Sequence, residues 1–175
     1  LLKNKNISGS ISLTGALIDD ITFNNYKKKL DGDEKVVFLN PRKSKNGYFI
    51  ETGWASNNQN TLKLPNNNTV WKSVGAKQLT STNPIELEWD NGEGLLFNKK
   101  IEMDDKFLFK ITQTITNKSD AAIEFYPYAQ ITRNKKPDVT NFFILHEGFL
   151  GVFDEELAEK DYDDIEDKKF NRDSQ

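Results

Sequence analysis

The chain contains no cysteine, a single histidine (His146) and a single methionine. Disulfide bonds and thiolate metal sites are therefore excluded, and so is any metal site that needs two histidines. Acid–base chemistry by a pair of histidines is excluded for the same reason. The absence of cysteine does not identify a cellular compartment, since disulfides are not required in any of them.

Long apolar runs and basic clusters are also missing. No run approaches the roughly 20 apolar residues that a membrane-spanning helix needs, so this chain itself is not predicted to cross a bilayer. Lysine and arginine number 24 against 27 acidic residues, with both signs interspersed and a net charge of −3. This distribution argues against a nucleic-acid partner. We interpret Lys27-Lys28-Lys29 as the solvated flank of a turn.

Material for a hydrophobic core is present in the form of 12 phenylalanines, 5 tyrosines and 3 tryptophans. A length of 175 residues favours a single domain, which we expect to span residues 1–175. The chain begins at Leu1 without a methionine and ends in the charged segment 171–175. We therefore expect it to be a piece cut from a longer protein.

The clearest secondary-structure signal lies between Trp89 and Ile131, where apolar and polar residues alternate with the period of two that is typical of a half-buried strand. Residues 117–120 form a polar turn cluster, so the runs on either side of it are predicted to pair as a hairpin. Five residues of one parity are predicted to be buried together: Phe107, Phe109, Ile111, Ile123 and Phe125.

Further short apolar runs separated by Asn, Gly, Pro and Ser occur throughout the chain. Many short strands with almost no helical periodicity indicate an all-β fold, which we predict to be a twisted antiparallel β-sandwich with little helix. The acidic stretch 154–170 has few apolar residues, at spacings that fit no regular helix. It is predicted to be a loosely attached segment with at most a short helix.

Few residues are candidates for chemistry. His146 lies beside Glu147, but neighbours in an extended strand point in opposite directions, so a structural role is favoured. The pairs Asp19-Asp20 and Asp104-Asp105 are interpreted as turn caps, because Asp bonds backbone amides in turns. Residues 90–94 lack the spacing of a calcium loop and are interpreted as a hairpin turn. We therefore predict no catalytic residue, no metal and no cofactor.

Two groups of aromatic and apolar residues are candidates for binding. The first group faces either the core or, as an alternative, a sugar ring; it comprises Trp54, Trp71, Trp89, Tyr126 and Tyr128. The second group supplies more apolar area than one strand face can bury, so we predict a protein-contact surface there. Its members are Phe142, Phe143, Phe149, Leu150 and Phe153. The alternative for this second group is that it closes one end of the sandwich.

Five segments in order resemble the large periplasmic domain of the bacterial membrane protein insertase family YidC. They are GSISLTGALIDDITFNNYKKKLD (Gly9 to Asp31), VVFLNP (Val36 to Pro41), YFIETGW (Tyr48 to Trp54), WDNGEGLLF (Trp89 to Phe97) and ILHEGFLGV (Ile144 to Val152). The resemblance implies a β-supersandwich similar to galactose mutarotase. The family's domain is longer than this chain. The resemblance therefore implies that this chain is the N-terminal portion of the domain, truncated at its C-terminal end.

The same resemblance implies a place and a role. The family's domain lies between the first two transmembrane helices of a multi-pass protein, on the periplasmic side of the inner membrane. The family assists insertion and folding of inner-membrane proteins, alone or with the Sec translocon, and its insertion groove lies among membrane helices that this chain lacks. We therefore expect a non-enzymatic domain that acts by protein contact, with Sec components and nascent inner-membrane proteins as partners.

Two other interpretations remain open. A carbohydrate-binding or mutarotase-like sandwich would share the fold, because one fold supports many functions. Mutarotases, however, use His and carboxylate residues in a concave cleft, whereas this chain has one His with a Glu beside it. A structural spacer without binding activity is the third interpretation.

Overall fold

The computed structural model describes residues 1–57, 62–137 and 146–162, which are almost entirely strands and turns. The predicted all-β fold is confirmed. The strands are β1 (Leu2–Lys3), β2 (Ile7–Ser12), β3 (Leu17–Lys27), β4 (Lys35–Leu39), β5 (Tyr48–Ala55), β6 (Lys72–Val74), β7 (Ile85–Asp90), β8 (Leu95–Met103), β9 (Phe109–Asn117), β10 (Tyr126–Arg133), β11 (Gly148–Phe153) and β12 (Glu156–Asp161).

The chain divides into two compact units, Leu1–Asn134 and Lys135–Gln175. The first unit is a sandwich of two antiparallel sheets. Its larger sheet has six strands in the order β1-β2-β3-β5-β10, with β4 also paired to β3, and its smaller sheet has four strands in the order β6-β7-β8-β9. The described part of the second unit contains the hairpin formed by β11 and β12.

The core of the sandwich is built by alternation along the strands. In β8, every second residue from Leu95 to Met103 is buried and the residues between them are only partly buried. The strand pairs in continuous register with β7 on one side and β9 on the other. It therefore lays one row of side chains against the larger sheet, which contributes Ile18, Ile21 and Trp54 to the same cluster.

The predicted hairpin around residues 117–120 is wrong. Strand β9 ends at Asn117 and pairs with β8, whereas β10 pairs with β5 in the other sheet. Asn117 turns the chain locally, because its side chain accepts the amide of Ser119 and donates to the carbonyl of Ala121. Residues 118–125 then cross from one sheet to the other. Alternation reports which face is buried and does not report which strand is the neighbour.

Four of the five residues predicted to be buried together do pack against the core, although they are only partly buried. Phe109, Ile111, Ile123 and Phe125 are partly buried against the core cluster. Phe107 is 46% exposed, because it lies in the turn before β9 begins and is not governed by the alternation of the strand. Its ring still contacts the ring of Phe23 edge-on, with centroids 5.7 Å apart.

The prediction of a loose segment after residue 154 is wrong where the structure describes it. Residues 156–161 form β12, which pairs with β11 along its full length. The connecting residues Asp154 and Glu155 have φ angles of 50° and 68°. Two consecutive positive φ values at a two-residue connection are typical of a type I′ turn, whose twist matches that of paired strands. Residues 163–170 lie outside the described part of the chain.

Candidate interaction surfaces

One of the acidic pairs singled out from the sequence, Asp104-Asp105, caps a turn of the backbone. The Asp104 carboxylate accepts the amides of Lys106 and Leu108, each at 2.9 Å, as expected for a turn cap. Across residues 1–57, 62–137 and 146–162, no cluster of three or more His, Cys, Asp or Glu side chains is placed to hold a metal ion.

The pair Asp19-Asp20 does not form the expected turn, because both residues lie inside β3. The Asp20 carboxylate accepts the hydroxyl of Ser10 at 2.7 Å across the strand pair. Asp19 is buried, and this burial raises the pKa of its carboxyl above the ordinary value, while a hydrogen bond from the Arg42 backbone opposes the shift.

His146 has a partner other than its sequence neighbour. Its Nδ1 lies 2.9 Å from Oδ1 of Asp161, the last residue of β12. The backbone carbonyl of Glu147 accepts the amide of Tyr162 at 3.0 Å. These contacts tie the two ends of the hairpin together, which is the structural role expected for the histidine.

The five aromatic residues weighed as a sugar platform are divided between interior and surface. Trp54 and Trp71 are buried in the core, with ring centroids 6.3 Å apart and planes inclined by 22°. Trp89 is partly buried, and Tyr126 and Tyr128 are exposed. Because the first two rings face the interior, the set does not form one platform on which a sugar ring could stack.

A buried cation that the sequence interpretation overlooked lies beside these two rings. Lys99 is 2% exposed and occupies an inward position of β8, between Phe97 and Ile101. Its ammonium lies 4.9 Å from the centre of the Trp71 ring and 5.7 Å from that of Trp54. It also donates to the backbone carbonyl of Thr52 in the opposite sheet. The sequence could have revealed it, because Lys99 has the same position in the apolar–polar alternation of β8 as its buried neighbours Phe97 and Ile101.

The environment of Lys99 favours the neutral amine. Burial lowers the pKa of Lys99 from its ordinary value of 10.5 to about 8, and the negative charge of Glu51 acts in the opposite direction. A buried amine without a contacting carboxylate loses hydration that the aromatic faces and one carbonyl replace only in part. Lys99 is therefore a costly residue for the fold at neutral pH.

An apolar groove lies beside the turn between β8 and β9. It has a volume of about 510 Å³, and the side chains that define it include Phe23, Tyr26, Val36, Phe38, Phe107 and Phe109. Phe23 contacts both Phe38, at 5.2 Å between ring centroids, and Phe107. A lining of this kind offers contact to apolar groups, and the Tyr26 hydroxyl is the one polar side-chain group among the described lining residues.

The β11–β12 hairpin carries the exposed part of the predicted contact surface, here called the hairpin patch and defined as Phe149 and Phe153 on one face of the hairpin and Leu150 on the other. These three side chains are 39%, 62% and 57% exposed. Phe142 and Phe143 lie outside the described residues. Val152 and Leu157 face each other across the two strands and are exposed as well. That second pair was missed because residues 154–170 were not expected to form a strand.

Comparison with known proteins identifies the family. The model of the YidC periplasmic domain matches residues 2–175. The chain belongs to this family. The insertase YidC of Pelagibacter ubique is 49% identical over 170 residues, which cover 97% of this chain and 30% of the relative. The insertases YidC of Ruegeria sp. and Jannaschia sp. are 40% and 41% identical, each over 92% of this chain and about a quarter of the relative.

The resemblance seen in the sequence is thereby confirmed, and it extends over nearly the whole chain. The chain spans less than a third of the length of these curated relatives. No helix in the described part of this YidC periplasmic domain is long and apolar enough to cross a membrane. In the described residues, apolar side chains line the groove and are exposed on the hairpin patch.

Proposed function

We propose that this chain is the periplasmic part of a YidC-type membrane protein insertase, on the periplasmic side of the bacterial inner membrane. The observation that carries the proposal is the family match over residues 2–175, together with relatives that are named membrane protein insertases. The domain assists insertion and folding as part of a multi-pass protein. It acts through protein contacts and not as an enzyme, since the side chains of Asp20, Asp104 and His146 are all engaged in structural contacts.

The proposed partners are nascent inner-membrane proteins and, when insertion uses it, the Sec translocon. The hairpin patch is the proposed contact surface, because Leu150 and Phe153 are more than half exposed. Exposed apolar groups of this kind mark interaction sites in soluble domains. A nascent membrane segment presents the apolar side chains that such a surface would cover.

Site-specific photo-crosslinking in the full-length insertase tests this proposal. A crosslinker at Phe149 or Phe153 is expected to form adducts with nascent membrane proteins or with Sec components. A crosslinker at Thr114, an exposed polar position of β9, is the matched control and is expected to form none. Adducts that join the two patch positions only to other parts of the insertase itself would remove the patch as a partner surface.

The sugar-binding alternative has a direct test. Trp54 and Trp71 face the core, and the imidazole of His146 contacts Asp161. We expect the chain to leave the mutarotation of α-glucose and α-galactose at the uncatalysed rate, followed by optical rotation. Acceleration that disappears in His146→Ala would favour the mutarotase-like interpretation over the insertase domain.

A further inference from the structure

Two buried side chains that lie near each other in the sandwich have N–H groups without a hydrogen-bond acceptor among the described residues. The indole Nε1 of Trp71 is buried and finds no acceptor among the residues that the structure describes. The Lys99 ammonium has three protons, and its one hydrogen bond among those residues goes to the carbonyl of Thr52. A buried donor without an acceptor costs roughly 1 to 3 kcal/mol, so such groups are normally satisfied by protein or by ordered water.

Both residues line the same crevice, here called the Lys99 crevice. It has a volume of about 10 Å³, and its lining includes Glu51, Asn66, Asn67, Trp71, Lys99 and Tyr128. The Tyr128 ring lies across Gly53, where a Cβ atom would come within 2.6 Å of it, so the glycine permits this close cover. The volume corresponds to a single water molecule or a monatomic ion.

The chemistry of the lining distinguishes between these two occupants. Trp71 and Lys99 supply donors, whereas the Glu51 carboxylate supplies acceptors. A halide ion only accepts hydrogen bonds and would lie near a carboxylate of the same sign. A water molecule accepts from the donors and donates to the acceptors, which gives it the two to four polar partners that buried waters have.

We infer that the Lys99 crevice binds one structural water, which accepts from Trp71 Nε1 and Lys99 Nζ and donates to Glu51. Lys99 belongs to β8 of the smaller sheet and Glu51 to β5 of the larger sheet, so the water completes a polar bridge between the sheets. The negative charge of Glu51 acts on the buried ammonium and raises the pKa of Lys99 against the effect of burial. The Tyr128 hydroxyl also donates to the Glu51 carboxylate, at 3.4 Å.

Crystallography of the chain tests the occupant directly. Crystals grown without halide and crystals grown in bromide are expected to show the same water oxygen within hydrogen-bonding distance of Trp71 Nε1 and Lys99 Nζ. An anomalous bromide peak at that position would overturn the choice of water. An empty crevice, or a protein acceptor on Trp71 Nε1, would overturn the site itself.

Two measurements in solution test the bridge independently. The indole proton of Trp71 is expected to show a cross-peak to a long-lived water in NMR spectra, and this peak is lost in Trp71→Phe and kept in Trp89→Phe. Glu51→Gln is expected to lower the Lys99 pKa measured by NMR, while Glu102→Gln, at an exposed glutamate beside Lys100, leaves it unchanged. A Lys99 pKa that does not respond to Glu51→Gln, or a Trp71 indole without a water cross-peak, would contradict the inference.

Discussion

Lys99 is a residue whose buried charge lowers the stability of the fold. Its position in β8 is an inward one, where the alternation otherwise places Phe97 and Ile101. A buried charge weakens a fold unless it is paired and hydrogen-bonded. Here two indole rings and one carbonyl supply the compensation. The free energy of unfolding should therefore depend on whether this amine carries a proton.

The first prediction concerns Lys99→Met. The pKa of Lys99 is about 8 in the fold against 10.5 ordinarily, so between these values the unfolded chain holds a proton that the folded chain has released. The free energy of unfolding of the native chain therefore rises with pH across this window, by up to about 3 kcal/mol. The free energy of unfolding of Lys99→Met minus that of the native chain should be largest near pH 7 and shrink towards pH 10.5.

Urea denaturation at a series of pH values measures this difference. Lys100→Met is the control, because Lys100 is the next residue of the strand and pairs at 2.9 Å with Glu102 at the surface. Its difference from the native chain should change little across the same window. If the free energies of unfolding of Lys99→Met and the native chain differ by the same amount from pH 7 to pH 10.5, the lowered pKa of Lys99 is contradicted.

At the scale of one strand, β8 organises the core more than β9 does. Phe97 is fully buried, and its ring lies 5.1 Å from that of Trp54 and 5.6 Å from that of Trp89. Phe109 and Phe107 are partly buried and exposed, respectively. The sequence pattern predicted Phe107 and Phe109 to be buried equally with the other residues of their parity, and the structure separates them.

The second prediction therefore compares truncations on two strands. Phe97→Ala should lower the free energy of unfolding by about 3 to 5 kcal/mol, because it leaves a cavity between the sheets. Phe109→Ala should cost less and Phe107→Ala least, following their exposure. Denaturant titration of the three variants under identical conditions gives the ranking, and a Phe107 variant as unstable as the Phe97 variant would contradict the packing described.

The β11–β12 hairpin depends on a turn whose second residue, Glu155, is not one that favours it. Asp154 and Glu155 both have positive φ, which a residue with a Cβ atom adopts at a cost. Asn-Gly is the sequence that best suits a type I′ turn. The strain in this turn therefore comes from the type of residue at the turn, since the pairing of the two strands is regular.

The third prediction is that Asp154→Asn with Glu155→Gly stabilises the hairpin by roughly 1 kcal/mol. Amide hydrogen exchange at Phe149 and Gly151, which belong to the hydrogen-bonded pairs of this antiparallel ladder, reports it as slower exchange. Glu155→Val is the opposing variant, since a β-branched residue is strongly disfavoured at positive φ, and it should speed exchange at the same amides. Equal exchange in all three chains would mean that the turn does not limit opening of the hairpin.

At the scale of the whole molecule, the sequence predicted the fold class and the family, and it predicted contacts between strands poorly. Alternation in β9 correctly identified its inner face, because burial is decided by the local period of two. The partner of β10 was not predictable in this way, since pairing with β5 joins residues far apart in the chain. The same limit hid the Lys99 crevice, whose lining comes from β5, β8, β10 and the loop around Asn66.

The last prediction separates a contact surface from a structural spacer. Leu150→Ser with Phe153→Ser, made in the full-length insertase, should reduce membrane insertion of client proteins. Both side chains are more than half exposed, so the melting temperature of the domain should change little. Leu30→Ser is the matched control, because Leu30 is 95% exposed in the loop between β3 and β4, and it should leave insertion unchanged. Normal insertion by the double variant, with defects only in variants that unfold the domain, would instead support the spacer interpretation.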